Sequence, residues 1–173
     1  MGVRLQRKKE DVTDSVGLLI SILVRYPEVA TINYEPEKQI LKFNFISVRE
    51  IKEKEIKKIS SLVLDSIEVF NFLEGRQTGV VALNYQVSEQ LTLIEVQRDM
   101  DTLVQEEISL IVDLFRQHLQ PSLVTEINES LIEEDMLIQE EIIDHMLESV
   151  RERAEEKYLY AFREEGRVLV FNK

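Results

Sequence analysis

One stretch in the C-terminal third places three metal-binding side chains at helical spacing. Glu141, His145 and Glu148 stand at positions i, i+4 and i+7, which lie along one side of an α-helix. Carboxylate and imidazole groups are accepted ligands of divalent metals. The spacing differs from the Glu-x-x-His pairs of di-iron bundles and from the His-Glu-x-x-His of zinc hydrolases. The triplet is therefore a candidate metal site, and a solvated helix face is the competing interpretation.

Other catalytic patterns are missing from the sequence. The chain has no cysteine, which removes a thiolate nucleophile, a disulfide framework and Cys-based zinc sites. It has no Gly-x-Ser-x-Gly elbow, and no Lys-Ser/Thr pair follows the glycines at 75 and 79. The second histidine, His118, lies near a predicted helix end, where a cation meets the helix dipole favourably. These observations favour a protein without enzymatic activity.

The formal charge of −12 is unevenly distributed along the 173 residues. Residues 1–76 have 13 Lys+Arg against 12 Asp+Glu, a net +1, and residues 77–173 have 8 against 21, a net −13. An acidic surface repels nucleic acid and anionic membranes and attracts a basic partner or a cation. We therefore expect no nucleic acid and no membrane among the partners, and a basic protein as one candidate. Acids that only keep the chain in solution are the alternative.

The main basic cluster, Lys52, Lys54, Lys57 and Lys58, is interleaved with glutamates. Glu53 precedes Lys57 by four residues, the favourable order for a pair within a helix. The cluster therefore predicts a self-neutralised face rather than a phosphate-binding track.

The first helix is predicted by an apolar run from Val16 to Val24. Thr13 or Asp14 can cap this helix and Pro27 stops it. The run is shorter than the roughly 20 residues of a membrane span. Apolar side chains surround nearly the whole helix, so it needs cover on several sides, from its own fold or from a second subunit. The lack of cysteine fits a cytoplasmic location.

The chain repeats a unit of one helix and one β-hairpin. The sequence INYEPEKQIL echoes LNYQVSEQL, and FREEGRVLVFN at 162–172 aligns with YEPEKQILKFN at 34–44. We predict an α+β fold in which three αββ repeats form one largely antiparallel sheet with helices on one face, plus a long acidic C-terminal helix. Two repeats followed by a separate helical tail are the alternative. The predicted single domain is 1–173, with repeats at about 12–48, 49–100 and 101–173.

Capping residues predict where the later helices begin. Ser47 with Glu50, and Ser130 with Glu133, have the capping-box spacing. Asp99 or Asp101 can cap the third helix. We expect a short helix over Leu123–Glu129 and a long helix from Leu131 to about Glu155. Between 126 and 156 there are 12 carboxylates against Arg151 and Arg153.

The last hairpin, Tyr158–Phe162 with Val168–Phe171 around Gly166, is apolar on both of its faces. Such a pair of strands is expected in the centre of a sheet, or covered from both sides, for example by another subunit.

Together these observations predict a non-enzymatic protein-interaction or regulatory module. We expect a homo-oligomer without a cofactor that presents an acidic helical face to a partner. The alternative is a metal- or ligand-dependent enzyme of unknown reaction, in which Glu141, His145 and Glu148 bind a divalent metal.

Overall fold

The computed structural model describes residues 13–126, 133–152 and 157–172, and its fold is α+β. The described chain forms four helices and one six-stranded antiparallel sheet, which confirms the predicted α+β class and antiparallel sheet. The elements in chain order are α1 (Asp14–Arg25), β1 (Thr31–Glu35), β2 (Ile40–Ser47), α2 (Glu53–Leu73), β3 (Val81–Val87), β4 (Thr92–Asp99), α3 (Gln105–Leu119), α4 (Glu133–Glu152), β5 (Leu159–Glu164) and β6 (Arg167–Asn172).

The strands lie in the order β3-β4-β2-β1-β5-β6, so β3 and β6 are the edges of the described sheet. Ile32, Phe43 and Val96 stand opposite one another on neighbouring strands, and all three are buried. Because β6 is an edge strand and β5 pairs with β1, the last hairpin lies at one edge of the described sheet. Of the two predicted alternatives, a central position or cover from both sides, the described sheet excludes the central position.

The buried side chains of the strands share one face, and the helices cover it. α1 packs on β1, β5 and β6, and α2 packs on β3. α3 reaches the same face through Phe115, whose ring centroid lies 4.4 Å from that of Phe45 on β2. One hydrophobic core consequently lies between the inner face of the sheet and the helices.

Helix α1 is covered on two sides by its own chain. The sheet lies on one side, and α4 packs along another. The two helices are close at Gly17, because a Cβ added there would stand only 3.3 Å from Cε of Met146. The Thr13 hydroxyl accepts a hydrogen bond from Val16 N at 3.2 Å, as the predicted cap requires. The apolar circumference of α1 is thus satisfied without a second subunit. No described helix combines the length and apolar character needed to cross a membrane.

Two predicted helix starts were wrong. α2 begins at Glu53 after Lys52, because Ser47 ends β2 and its hydroxyl bonds that of Ser122 at 2.7 Å. α3 begins after Val104 without a side-chain cap, because the carboxylate of Asp99 is used by the loops around it. In both cases a tertiary contact takes the polar side chain that the local pattern assigned to the helix.

The predicted helix over Leu123–Glu129 was also wrong in its described part. Leu123 forms an isolated antiparallel bridge with Ser47, and residues 124–126 have no helical structure. Residues 127–129, the predicted start at Leu131 and the predicted end near Glu155 lie outside the described residues, so these boundaries stay predictions. The threefold sequence repeat also stays a prediction.

Candidate functional site

The outer face of the β5–β6 hairpin carries a cluster of apolar side chains. We call this hairpin the edge hairpin, and its outer side chains Tyr160, Phe162, Leu169 and Phe171 the edge strip. Phe162 lies opposite Leu169, and Tyr160 opposite Phe171. The Phe162 ring lies 5.5 Å from the Tyr160 ring and 5.7 Å from the Phe171 ring, and Phe171 is 53% exposed. Tyr160, Phe162 and Leu169 are partly exposed, so four neighbouring apolar side chains are in contact with water here.

The local sequence explains why the edge strip forms. Glu165 and Gly166 connect the two strands with φ values of 51° and 76°, the left-handed pair of a type I′ turn. The strict alternation after this turn buries Val168 against α1 and turns Leu169 to the outer face. Both faces are apolar, as predicted, but only the inner face is covered by described helices.

Most of the remaining outer face is polar, although Leu93 on β4 is apolar and 40% exposed. The Asn44 side chain donates to the Thr31 hydroxyl at 2.9 Å and to the Asn33 side-chain oxygen at 3.0 Å. Gln97 donates to Glu95 at 2.7 Å on the neighbouring strand. These side chains satisfy one another and leave the edge strip as a distinct apolar region.

Arg163 fixes the edge hairpin to the end of α1. Its Nη2 donates to the carbonyl oxygens of Leu23, Tyr26 and Val29 at 3.0, 3.0 and 2.6 Å. Burial lowers the pKa of Arg163, because the guanidinium loses hydration. The cation caps carbonyl groups at the negative end of the helix dipole. These hydrogen bonds hold the edge hairpin, and with it the edge strip, in a fixed position relative to α1.

The predicted metal residues all lie on the exposed side of α4. His145 and Glu148 line a groove of about 350 Å³ together with Asp144, Leu147 and Arg151, whereas Glu141 is not part of its lining. Arg151 crosses to the loop before α3, where it donates to the Met100 carbonyl at 2.8 Å. In the described parts of the chain, no three His, Asp or Glu side chains are grouped to hold a metal ion. The metal site stays a prediction.

The exposed side of α4 carries both carboxylates and the apolar side chains of Leu137 and Ile138, which are 56% and 54% exposed. The helix packs through Ile143, Leu147 and Val150, and Glu140 binds Arg25 of α1 at 2.6 Å. The carboxylates that remain exposed are those of Glu133, Glu134, Glu141, Asp144, Glu148 and Glu152.

A buried ion pair connects the sheet to the helices. Arg98 and Glu107 are both fully buried, and Arg98 donates to both carboxylate oxygens of Glu107, with the Nη2–Oε1 distance at 2.8 Å. Asn71 on α2 donates to the same carboxylate at 2.9 Å. A desolvated pair is tolerated only when its hydrogen bonds are satisfied. The charged and polar groups of this network bond to one another inside the protein, which indicates a role in stability.

Asp99 organises the loops beside this pair. Its carboxylate accepts from Val80 N at 2.8 Å and from the Thr102 hydroxyl at 2.8 Å, and it also binds Arg98. Burial acts to raise the pKa of Asp99, but these hydrogen bonds and the Arg98 charge together hold it below its ordinary value. The residue that was predicted as a helix cap is instead a loop anchor.

A second internal polar cluster lies between α1 and α3. The Tyr26 hydroxyl lies 2.6 Å from that of Ser109, and Gln105 donates to Ser109 at 2.9 Å. Burial raises the pKa of Tyr26. The phenol is thus neutral at physiological pH and joins the two helices.

Sequence reasoning did not find the roles of Arg98 and Arg163. Both arginines continue the inward phase of a strand, Arg98 after Ile94 and Val96, and Arg163 after Leu159 and Ala161. Each arginine stands at the end of a strand, at a position where the alternation places side chains on the buried face. This alternation was the sequence signal that could have indicated a buried arginine.

Comparison with known proteins finds no matching family model, no matching curated protein and no matching solved structure. The function is therefore inferred from the chain's own residues and surfaces.

Proposed function

We propose that the chain is a non-enzymatic protein-interaction or regulatory module that self-associates and presents an acidic helical face to a basic partner. In this proposal the three αββ repeats supply the scaffold, and the third repeat carries both interaction surfaces. A cytoplasmic location belongs to the same proposal and is supported by the cysteine-free sequence.

The exposed edge strip is the observation that carries the proposal of self-association. Phe162 and Phe171 stack on one another, yet Phe171 is half exposed. Removing apolar surface from water contributes roughly 25 cal/mol per Å². A second copy of the chain brings an identical apolar surface, and a symmetric contact covers both at once. The homo-oligomer that the sequence predicted is thus supported by the edge hairpin, whereas α1 is already covered.

The acidic side of α4 supports the second part of the proposal. Its carboxylates point away from the core, and the groove beside His145 and Glu148 is also rich in charge. A surface of one sign attracts a ligand of the opposite sign and accelerates encounter. A basic peptide or protein segment is the class of partner that this charge favours.

Light scattering coupled to size exclusion tests self-association. The unmodified chain is expected to elute with a mass above the 20.3 kDa of one copy at tens of micromolar. Phe171→Ser should shift the mass toward one copy. Leu93→Ser, a 40% exposed apolar residue on the outer face of β4, should leave the mass unchanged. A single-copy mass for the unmodified chain overturns self-association, and equal behaviour of the two variants overturns the assignment to the edge strip.

Titration with oligolysine tests the acidic face. The double variant Glu141→Lys with Glu148→Lys should weaken binding much more than Glu68→Lys with Glu74→Lys, which changes the charge equally on exposed positions of and beside α2. Binding should also fall with added salt. Equal loss in both pairs, or no binding by the unmodified chain, overturns this part of the proposal.

The groove lined by Asp144, His145 and Glu148 is the observation that favours the enzymatic alternative, a carboxylate/His metal- or ligand-dependent reaction. Elemental analysis of protein purified without a chelator tests it. A stoichiometric divalent metal that is lost in His145→Ala supports the alternative. Protein without metal leaves the interaction module as the better proposal.

A further inference from the structure

Among the described residues, no strand pairs with the outer edge of β6, which leaves backbone hydrogen-bonding groups there without a strand partner. In a two-residue hairpin the residues that flank the turn, here Glu164 and Arg167, exchange backbone hydrogen bonds. Alternate residues of an antiparallel strand then bond in opposite directions. Arg167, Leu169 and Phe171 therefore bond toward β5, and Val168 and Val170 direct their N–H and C=O groups to the open edge. Such a row of groups bonds to water in the isolated chain and is a template for pairing with another extended strand.

Beyond Arg167, the edge of β6 lacks the charged side chains and proline by which proteins protect an open strand. Residues 168–172 contain no charge and no proline, although lysine, proline and bulges are the usual protection. The opposite edge, β3, differs, because its outer side chains Ala82, Asn84 and Gln86 are small or polar. Of the two edges of the described sheet, the edge of β6 is the one that combines strand-unpaired backbone groups with apolar side chains on both faces.

The distribution of charge also favours β6 as the contact between two copies of the chain. The chain carries a net charge of −12, so most surfaces of two copies repel one another. Residues 168–172 are uncharged, and Arg167 adjoins them as a cation. A second copy can approach this edge without placing like charges in contact.

We propose that two copies of the chain pair β6 with β6 in an antiparallel, two-fold symmetric arrangement that joins both sheets into one. This inference rests on the proposed self-association and names its contact. Residues directly opposite in an antiparallel pair point to the same face. A two-fold axis perpendicular to the sheet keeps each side chain on its own face, so it must pass midway between two copies of the same residue, which oppose each other.

Of the possible registers, the side-chain pairs favour the one in which Leu169 of one copy lies opposite Leu169 of the other. With Leu169 opposite Leu169 of the second copy, Val168 opposes Val170, and Arg167 opposes Phe171. These pairs place valine against valine on the inner face, and a cation against an aromatic ring on the outer face. With Val170 on the axis, Val168 would oppose Asn172 and Arg167 would lie outside the pairing. In the register with Leu169 opposite Leu169, the outward N–H and C=O groups of Val168 bond to those of Val170 in the second copy.

Single-cysteine cross-linking tests this register, since the chain has no cysteine of its own. In the proposed dimer Leu169 forms a pair without direct hydrogen bonds, with Cα atoms about 4.5 Å apart, which is within the range for a disulfide. Leu169→Cys should form a covalent dimer under mild oxidation at low micromolar concentration. Ala82→Cys, a partly buried outer-face residue on β3, should react at least tenfold more slowly. Equal rates overturn the proposal.

A charge exchange at the same position provides a test that does not depend on oxidation. Leu169→Lys and Leu169→Glu should each give a single-copy mass, because like charges then face one another across the axis. Their mixture should restore a dimer of one lysine and one glutamate variant. A mixture that stays monomeric, or single variants that stay dimeric, overturns the β6 contact. If the unmodified chain still has a dimer mass in light scattering, self-association survives this failure; if it has a single-copy mass, both proposals fail.

Discussion

Breaking the buried ion pair should destabilise the fold far more than breaking an exposed pair of the same chemistry. Glu107→Gln keeps the shape of the side chain but removes the charge that faces fully buried Arg98. Removing one partner of a buried pair costs about 3–5 kcal/mol. Glu55→Gln is the control, because Glu55 binds Arg49 at 2.6 Å with both side chains about two-fifths exposed. Exposed pairs contribute under about 1 kcal/mol.

Urea denaturation followed by circular dichroism measures both losses. A loss of about 3–5 kcal/mol is a large part of a total stability of about 5–15 kcal/mol. For a chain of this length it corresponds to a fall in Tm of about 6–20 °C. Glu55→Gln should move Tm by no more than about 4 °C.

A second substitution separates the charge from the packing. Arg98→Met in the Glu107→Gln background removes the buried cation that then has Asp99 as its remaining carboxylate partner. It keeps an oxygen for Asn71, which now donates to Glu107 at 2.9 Å. The double variant should recover most of the lost stability. Equal losses for Glu107→Gln and Glu55→Gln, or no recovery in the double variant, would refute the interpretation that the incompletely neutralised charge of buried Arg98 causes the loss.

Three further predictions concern single residues of the fold. Because the pKa of Asp99 is depressed in the folded state, its contribution is present above the ordinary aspartate pKa and is lost as pH falls through the folded pKa; the stability gap between the unmodified chain and Asp99→Asn should thus be full at neutral pH and shrink in acid urea titrations. Arg163→Met should speed amide exchange in β5 and β6 more than in β3, since it frees the edge hairpin from the α1 carbonyls; uniform acceleration would contradict this. Gly166→Ala should cost about 1–2 kcal/mol because φ is 76° there, and unchanged stability in urea would contradict the type I′ turn.

The sequence predicted the parts of the fold that depend on local periodicity. The alternation in β1 and β2, and the stripe of Ile56, Ile59 and Val63 on α2, match the buried positions of the structure. Periodicity identifies a buried face because side-chain direction follows from backbone geometry alone.

The sequence did not predict features that depend on distant contacts. Ser47 matched a capping box but bonds Ser122, which is 75 residues away. The edge position of the last hairpin follows from the pairing of β5 with β1, and no local pattern specifies which strands become neighbours. The partners of Arg98 and Arg163 likewise come from other elements, so their burial was not visible as a motif.

Residue-resolved amide exchange tests the contact at the edge hairpin most directly. If two copies pair through β6, the N–H groups of Val168 and Val170 become protected as protein concentration rises from low micromolar to hundreds of micromolar. The corresponding outward groups on the opposite edge, those of Leu83 and Tyr85, should exchange at a rate independent of concentration. Fast exchange of Val168 and Val170 at every concentration would contradict the proposed contact.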